Sequence, residues 1–308
     1  MNRLAYLALP LTRVECPGWG RLYRWLGIHD SHRWQDAPIR TIRGKAHGFL
    51  MKLHLPDWAE RMTYFLGRYY DLPLEVLLRS TLNAGDRVVD VGGNIGMVTL
   101  LLARNVGPKG LVQTFEPNPE CCSRLREMLA LNPIDWVTVY PLGLSDAAST
   151  ERLAILHDHS GVGTLGALSP EEELAITSTT EVAVARGDDI LLEDHRPIKL
   201  MKIDVEGYEV KALKGMTLSL ERDHPLVVLE TIDGHLRRAG SSAEELFELM
   251  QSRGYEAYAM TLARRLGRYD LRLRPVARVA DLATETDTVW IHPTLSPPHD
   301  RLLGFIGR

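Results

Sequence analysis

Two short segments of this 308-residue chain place glycines and acids at spacings that chemistry can use. The first is Val88-Val89-Asp90-Val91-Gly92-Gly93-Asn94-Ile95-Gly96, where an apolar strand hands over to an apolar helix. Glycines at such a turn allow positive φ and let a ligand approach the backbone closely. The free N–H groups of the helix start suit an anionic group. The second is Lys202-Ile203-Asp204-Val205-Glu206-Gly207, which puts two carboxylates at the end of another apolar run. Strand alternation directs Lys202 and Asp204 to one side and could pair them. Glu206 could equally be a helix-start acid favoured by the macrodipole.

The spacing in the glycine loop selects among ligands. A dinucleotide fingerprint is G-x-G-x-x-G, but Asn94 stands at its second glycine and Asp90 lies two residues before Gly92. Asp-x-Gly-x-x-x-Gly, ending here at Gly96, is the S-adenosylmethionine pattern. Its acid can meet the cationic amino group of the methionine part and would repel a pyrophosphate. Phe115-Glu116-Pro117-Asn118 ends the next strand, where Glu116 could accept hydrogen bonds from two ribose hydroxyls. NAD enzymes use the same device, so Glu116 indicates a nucleoside without saying which. The Asn/Asp-Pro-Pro-aromatic motif of base-amine N-methyltransferases is absent, which disfavours a nucleobase amine as acceptor.

These segments require a scaffold of alternating strands and helices. Strands are predicted at 87–91, 111–115, 136–140, 199–204, 226–230, 255–259 and 286–292. The helices between them include one capped by Asp71 with Pro73 in its first turn, one over 95–104, and one opened by Asn118-Pro119. Another covers 208–214 with Gly215 as its C-cap, and a last one starts at Ser241-Ser242-Ala243-Glu244. Such alternation argues an α/β fold with a mostly parallel, seven-stranded sheet and helices on both faces. The division expected is an N-terminal helical extension over 1–70, a ligand-binding domain over 71–295 and a tail over 296–308. The stretch 143–197 interrupts the rhythm with two β-like runs, Leu153 to Leu156 and Glu181 to Ala185, and a glycine-rich tip at 160–163. It reads as an insertion or lid.

Composition sets outer bounds. With 45% apolar and 25% charged residues the chain can bury a core. A formal charge of −4 leaves nothing to neutralise a phosphate backbone, so nucleic acid is not expected as a partner. The three cysteines, Cys16, Cys121 and Cys122, form neither a disulfide framework nor a C-x-x-C zinc site, which fits a reducing cytoplasm. No apolar run is long enough for a transmembrane segment. The apolar stretch Leu4 to Leu11 lacks a cleavage site and reads as a buried or membrane-resting helix, so peripheral membrane contact is open. Oligomeric state is not legible.

Asp90-Val91-Gly92-Gly93-Asn94-Ile95-Gly96, Phe115-Glu116-Pro117-Asn118, Gly143-Leu144-Ser145-Asp146, Lys202-Ile203-Asp204-Val205-Glu206-Gly207 and Leu229-Glu230 together resemble the FkbM-type methyltransferases over roughly residues 65 to 292. The resemblance implies a class I, Rossmann-like S-adenosylmethionine fold and O-methylation of a hydroxyl on a sugar or glycan, or alternatively on a polyketide. A NAD-dependent oxidoreductase is the competing class. Carried onto this sequence, the resemblance places Tyr70, Asp90, Gly92, Asn94, Gly96, Glu116, Pro117, Asn118, Ser145 and Asp204 at the cofactor. Tyr70 could equally be a staple docking the extension.

An alcohol is a poor nucleophile until its proton begins to leave, so alignment and a base matter. The base candidates are His157, His159 and His235, and the catalytic set expected is Asp204, Glu206, Glu230 and His235. Asp204 and Glu230 close adjacent strands and could instead hold a divalent cation such as Mg²⁺.

Overall fold

The computed structural model describes residues 3–15, 18–156, 163–166, 173–265, 268–282, 286–294, 302 and 304–306. His157, His159, residues 160–162 of the glycine-rich tip and most of the tail lie outside that set.

Chain order runs α1 (Arg3–Leu7), α2 (Leu9–Val14), α3 (Trp19–Trp25), β1 (Arg40–Arg43), β2 (Leu50–Leu53), α4 (Trp58–Leu66), α5 (Leu72–Thr81), β3 (Arg87–Val91), α6 (Met97–Val106), β4 (Leu111–Phe115), α7 (Pro119–Ala130) and β5 (Val137–Tyr140). Then follow β6 (Gly143–Ser145), β7 (Ser149–Leu156), β8 (Gly163–Thr164), β9 (Ile176–Arg186), α8 (Asp188–Leu191), β10 (Ile198–Ile203), α9 (Glu209–Gly215), α10 (Thr217–Asp223) and β11 (Leu226–Thr231). The chain closes with α11 (Asp233–Arg238), α12 (Ala243–Gln251), β12 (Glu256–Arg265), β13 (Arg268–Val276) and β14 (Thr286–Ile291).

The central sheet has the order β13-β12-β14-β11-β10-β3-β4-β5, with β5, β4, β3, β10 and β11 parallel and β14 reversed between β11 and β12. This is the Rossmann-like α/β sheet expected for class I, with one difference. Among the described residues it has eight strands, not seven, because β13 pairs antiparallel with the free edge of β12. The missed strand alternates exposed Arg272 and Arg274 with buried Leu271 and Leu273, a period-two pattern dominated by arginine.

Burial explains why the strands read as continuous apolar runs. All five residues of β3 are buried, because both sheet faces are covered. Val89, Val91, Met201 and Ile203 face α9, α10 and α12. Val88, Leu200 and Val228 face the opposite side with α5 and α6. A third cluster joins Tyr23, Trp34, Met51, Leu53 and Phe65 to Ile95, Leu100 and Met128 of the main fold. The extension is thereby welded onto α6 and α7. It is not wholly helical, since Arg40–Arg43 and Leu50–Leu53 form an antiparallel pair.

The interrupting stretch resolves into a small sheet of order β6-β9-β7-β8. The two β-like runs lie inside β7 and β9. Gly215 is the last helical residue of α9 and not its cap; glycine is required there because a side chain would overlap the Ser145 carbonyl oxygen.

Candidate active site

The carboxyl ends of β3, β4, β10 and β11 open onto one cleft, whose walls include Gly92, Gly93, Asn94, Glu116, Pro117, Asn118, Asp204, Glu206 and Glu230. This is the edge at which open α/β sheets take ligands. Gly92 sits at φ +85°, and a Cβ there would overlap the Asp204 carbonyl oxygen. Glycine is needed twice over: for the left-handed backbone and for the close approach of the first and fourth core strands. Asn94 also has positive φ, 46°, and its buried Oδ1 finds no protein donor.

Glu116 is held on both oxygens. The backbone N–H of Asn94 donates to Oε2 at 2.7 Å and that of Asn118 to Oε1 at 2.8 Å. Each oxygen keeps a lone pair, so the carboxylate is a fixed fork for two vicinal hydroxyls. Burial pushes its pKa up to about 7, against the lowering effect of the two N–H groups.

Three residues expected at the cofactor stand elsewhere. Asp90 is 1% exposed and does not line the cleft. It accepts a 2.6 Å hydrogen bond from Thr99 Oγ1, and burial lifts its pKa to about 6. In this structure Asp90 sits behind the glycine loop, anchored to α6 through Thr99. Gly96, at φ +93°, starts α6 against Leu125 outside the cleft lining. Ser145 is buried beneath Gly215 and donates to its neighbour Asp146 at 3.2 Å. Gly143 and Leu144 line the cleft in its place.

Asp204, Glu206 and Glu230 make another part of the lining acidic, and His235 stands behind Glu206 and Glu230, outside the lining itself. Lys202 Nζ lies 2.9 Å from Asp204 Oδ2 and 3.8 Å from Asp287 Oδ2, the pairing that alternation along β10 implies. Lys202 is buried, yet its carboxylate neighbours hold its pKa up. The Asp204 side chain remains 38% exposed to the cleft. His235, on α11, directs Nδ1 at Glu206 Oε2 (3.0 Å) and Glu230 Oε2 (3.2 Å). Its hydrogen bonds to Glu206 and then Glu230 push its pKa up to about 10. The two carboxylates orient the imidazole through Nδ1 and favour its protonated form. Burial raises Glu230 as well, with Asp204 adding to it.

Backbone geometry builds this cluster. Gly207 at φ +109° lets α11 approach so closely that a Cβ would overlap the His235 carbonyl oxygen. Glu206 itself has φ 54°. Glu209 Oε1 accepts the N–H of Val205 at 2.9 Å and of Gly207 at 3.3 Å. The carboxylate that stabilises this turn thus lies five residues beyond Asp204. It is visible in the sequence but was assigned no role there.

The extension closes one wall with Asp57, Ala59, Glu60, Tyr69 and Tyr70. Tyr70 lines the cleft and also packs edge-on to Trp58 at 5.1 Å, so the cofactor-contact and staple readings meet in one residue. Glu60, missed in the sequence, is buried with Arg124 Nη2 at 2.6 Å and the His54 N–H at 2.6 Å. Asp57 caps α4. An acid three residues before another at a helix start was the available signal.

The donor set fits a nucleoside that carries an amino-acid group. Glu116 offers two oriented acceptors, and Asn94 Oδ1 is an unpaired acceptor for an ammonium. Glu206, Glu230 and His235 place one ligand atom each within 4.8 Å of one another, among the described residues, and could surround a divalent cation.

The family model described as the methyltransferase FkbM domain matches residues 90–257. The chain is similar to methyltransferase sdnD of Sordaria araneosa at 32% identity, covering 42% of this chain and 60% of that protein. It is also similar to hexuronic acid methyltransferase AglP of Haloferax volcanii at 32% identity, covering 49% of this chain and 59% of that protein. The chain thus spans about 60% of the length of these curated relatives. Among solved structures it is similar to an FkbM methyltransferase from Methylobacillus flagellatus, with TM-score 0.40 and 16% identity over 77% of this chain and 55% of that one.

Proposed function

The chain belongs to the methyltransferase FkbM domain family, and from that premise we propose that it transfers a methyl group from S-adenosylmethionine to a hydroxyl of a sugar or glycan. The observation that carries this reading is the single cleft with two unlike ends. One end holds Glu116 as a fork fixed by the glycine loop; the other holds Asp204 on Lys202, and Glu206 and Glu230 on His235.

S-adenosylmethionine, when bound, supplies an electrophilic methyl group on a sulfonium. Glu116 would accept the two ribose hydroxyls, and Asn94 Oδ1 would accept the methionine ammonium. Pro117, Asn118, Gly143 and Leu144 would line the nucleoside. At the acidic end the carboxylates suit a polyhydroxylated acceptor, because each can take a hydrogen bond from a neighbouring hydroxyl and hold one of them in line. The hydroxyl proton would pass to Glu206, whose carboxylate lines the cleft. His235 keeps the two from repelling one another. The name of the Haloferax volcanii relative, a hexuronic acid methyltransferase, favours a sugar acceptor.

Titration calorimetry with S-adenosylhomocysteine and with NAD tests the cofactor. Heat with S-adenosylhomocysteine and none with NAD is expected; the reverse overturns the assignment. Asp204→Ala should abolish transfer while cofactor affinity is largely kept. Unchanged turnover in that variant removes Asp204 from the catalytic set.

A further inference from the structure

The first helical run carries its large apolar side chains on the wrong side for a core. In α1 and α2, Ala5, Ala8 and Thr12 are buried, whereas Leu4, Leu7, Leu11 and Val14 are 62%, 75%, 49% and 74% exposed. At about 100° per residue those four side chains fall on one face. Thr12 donates to the Phe65 carbonyl at 2.7 Å, which fixes the polar side of the helix inward. The next helix, α3, packs on α2 and ends in Trp25, 78% exposed, with Arg21 and Arg24 exposed beside it. Arg40 stacks over the Tyr6 ring at 5.6 Å, bringing another cation to α1.

Charge is sorted in the same direction. Residues 1–70 contain eleven Lys and Arg against five Asp and Glu, a net +6, whereas the rest of the chain has 25 against 35, a net −10. At physiological salt, screening over about 8 Å makes the local patch count for more than the overall charge of −4.

We propose that this extension docks the protein on the surface of an anionic lipid bilayer, with Leu4, Leu7, Leu11 and Val14 in the acyl boundary, Trp25 at the headgroup level and Arg21 and Arg24 on the lipid charges. An outward apolar stripe flanked by cations and an aromatic is the pattern of a helix that lies in a membrane interface. No described helix is long and apolar enough to cross a membrane, so the element rests on the bilayer. The same extension supplies Asp57, Tyr69 and Tyr70 to the cleft wall, so one segment of chain serves both the cleft and the docking face. A glycan carried on a lipid would meet it there. That last consequence rests on the proposed acceptor; the docking does not.

The test is co-sedimentation of the purified full chain with vesicles of phosphatidylcholine alone and of phosphatidylcholine with about one-third phosphatidylglycerol. Wild type should partition onto the anionic vesicles and be released by salt. Leu4→Gln/Leu7→Gln/Leu11→Gln should lower the partition coefficient at least about tenfold, and Arg21→Ala/Arg24→Ala should lower it only on anionic vesicles. Trp25→Ser, a single change at an exposed position, gives an independent arm and should weaken binding too. Melting temperature and S-adenosylhomocysteine affinity should stay unchanged in all variants, so a failure of catalysis and a failure of docking are read separately. Absence of binding to either vesicle overturns the proposal. So does binding untouched by the leucine and arginine substitutions. A wild-type dimer that the leucine variant splits, with no vesicle binding, would assign the face to a second copy of the chain instead.

Discussion

Replacing Glu116 by Gln removes one charge and little volume, and the structure fixes what that should cost. The carboxylate accepts the Asn94 and Asn118 N–H groups on different oxygens. An amide must turn its NH₂ toward one of those donors, leaving a buried N–H unpaired at a cost of about 1–3 kcal/mol. It also offers a ribose one acceptor where there were two, and no charge; a hydrogen bond to a charged group contributes about 1.5–3 kcal/mol. Cofactor affinity should therefore fall by roughly 100-fold or more near pH 8. A pH arm makes the prediction sharper. Burial raises this acid to about 7, so the folded protein keeps the proton through the mildly acidic range and ionises only as pH rises through about 7. The ionised form is the one the ribose hydroxyls need. Wild-type affinity for S-adenosylhomocysteine should fall up to about tenfold between pH 8 and pH 6, about 1.4 kcal/mol, while Glu116→Gln should be weak and flat. Stability of the ligand-free protein has the matching sign: the advantage of a protonated Glu116 is lost as pH climbs from the ordinary carboxyl range through about 7. Titration calorimetry at pH 6, 7 and 8 reads both arms. A variant within about threefold of wild type, or a wild type that binds more tightly on acidification, refutes the assignment of Glu116 as the ribose fork.

Three further outcomes follow from the same geometry. Gly92→Ala meets both a φ of +85° and the Asp204 carbonyl oxygen, so it should destabilise by about 2–4 kcal/mol and lower the melting temperature by roughly 5–10 °C; an unchanged thermal midpoint contradicts the tight strand contact. His235→Gln takes the cation from between Glu206 and Glu230, and turnover should drop at least about tenfold with cofactor affinity kept; parallel loss of both would mean a merely structural histidine. Because His235 Nδ1 is already engaged by both Glu206 and Glu230, a chelator should leave turnover unchanged and added Mg²⁺ should not raise it; restoration of a chelated enzyme by Mg²⁺ would give the cluster to a metal.

The cleft was legible in the sequence wherever strand ends and turn chemistry dictate position. Asn118-Pro119 opens α7, Asp71 caps α5, Asp204 and Glu206 follow β10 and Glu230 stands near the end of β11, two strands whose nearly continuous burial makes them easy to read. What escaped depended on contacts between distant segments. Asp90 looks like a ligand-facing acid until Thr99, one turn into α6, is seen to take its hydrogen bond. Ser145 looks like a cleft residue until α9 is seen to press on its carbonyl through Gly215. His235 lies on a six-residue helix too short to show a period, and its protonation depends on two acids that fold brings together from different strand ends. In β13 three arginines interrupt the apolar signal of an edge strand.

The most direct test of methyl transfer to a sugar hydroxyl is to incubate the purified chain with methyl-labelled S-adenosylmethionine and a panel of monosaccharides, hexuronic acids, lipid-linked glycans and polyketides, and to locate the label by fragmentation mass spectrometry. The expected result is one labelled methyl ether on a ring hydroxyl of a sugar, lost in Asp204→Ala. Label on an amine, on a polyketide hydroxyl or on a carboxylate as an ester, with sugar hydroxyls untouched, would contradict it.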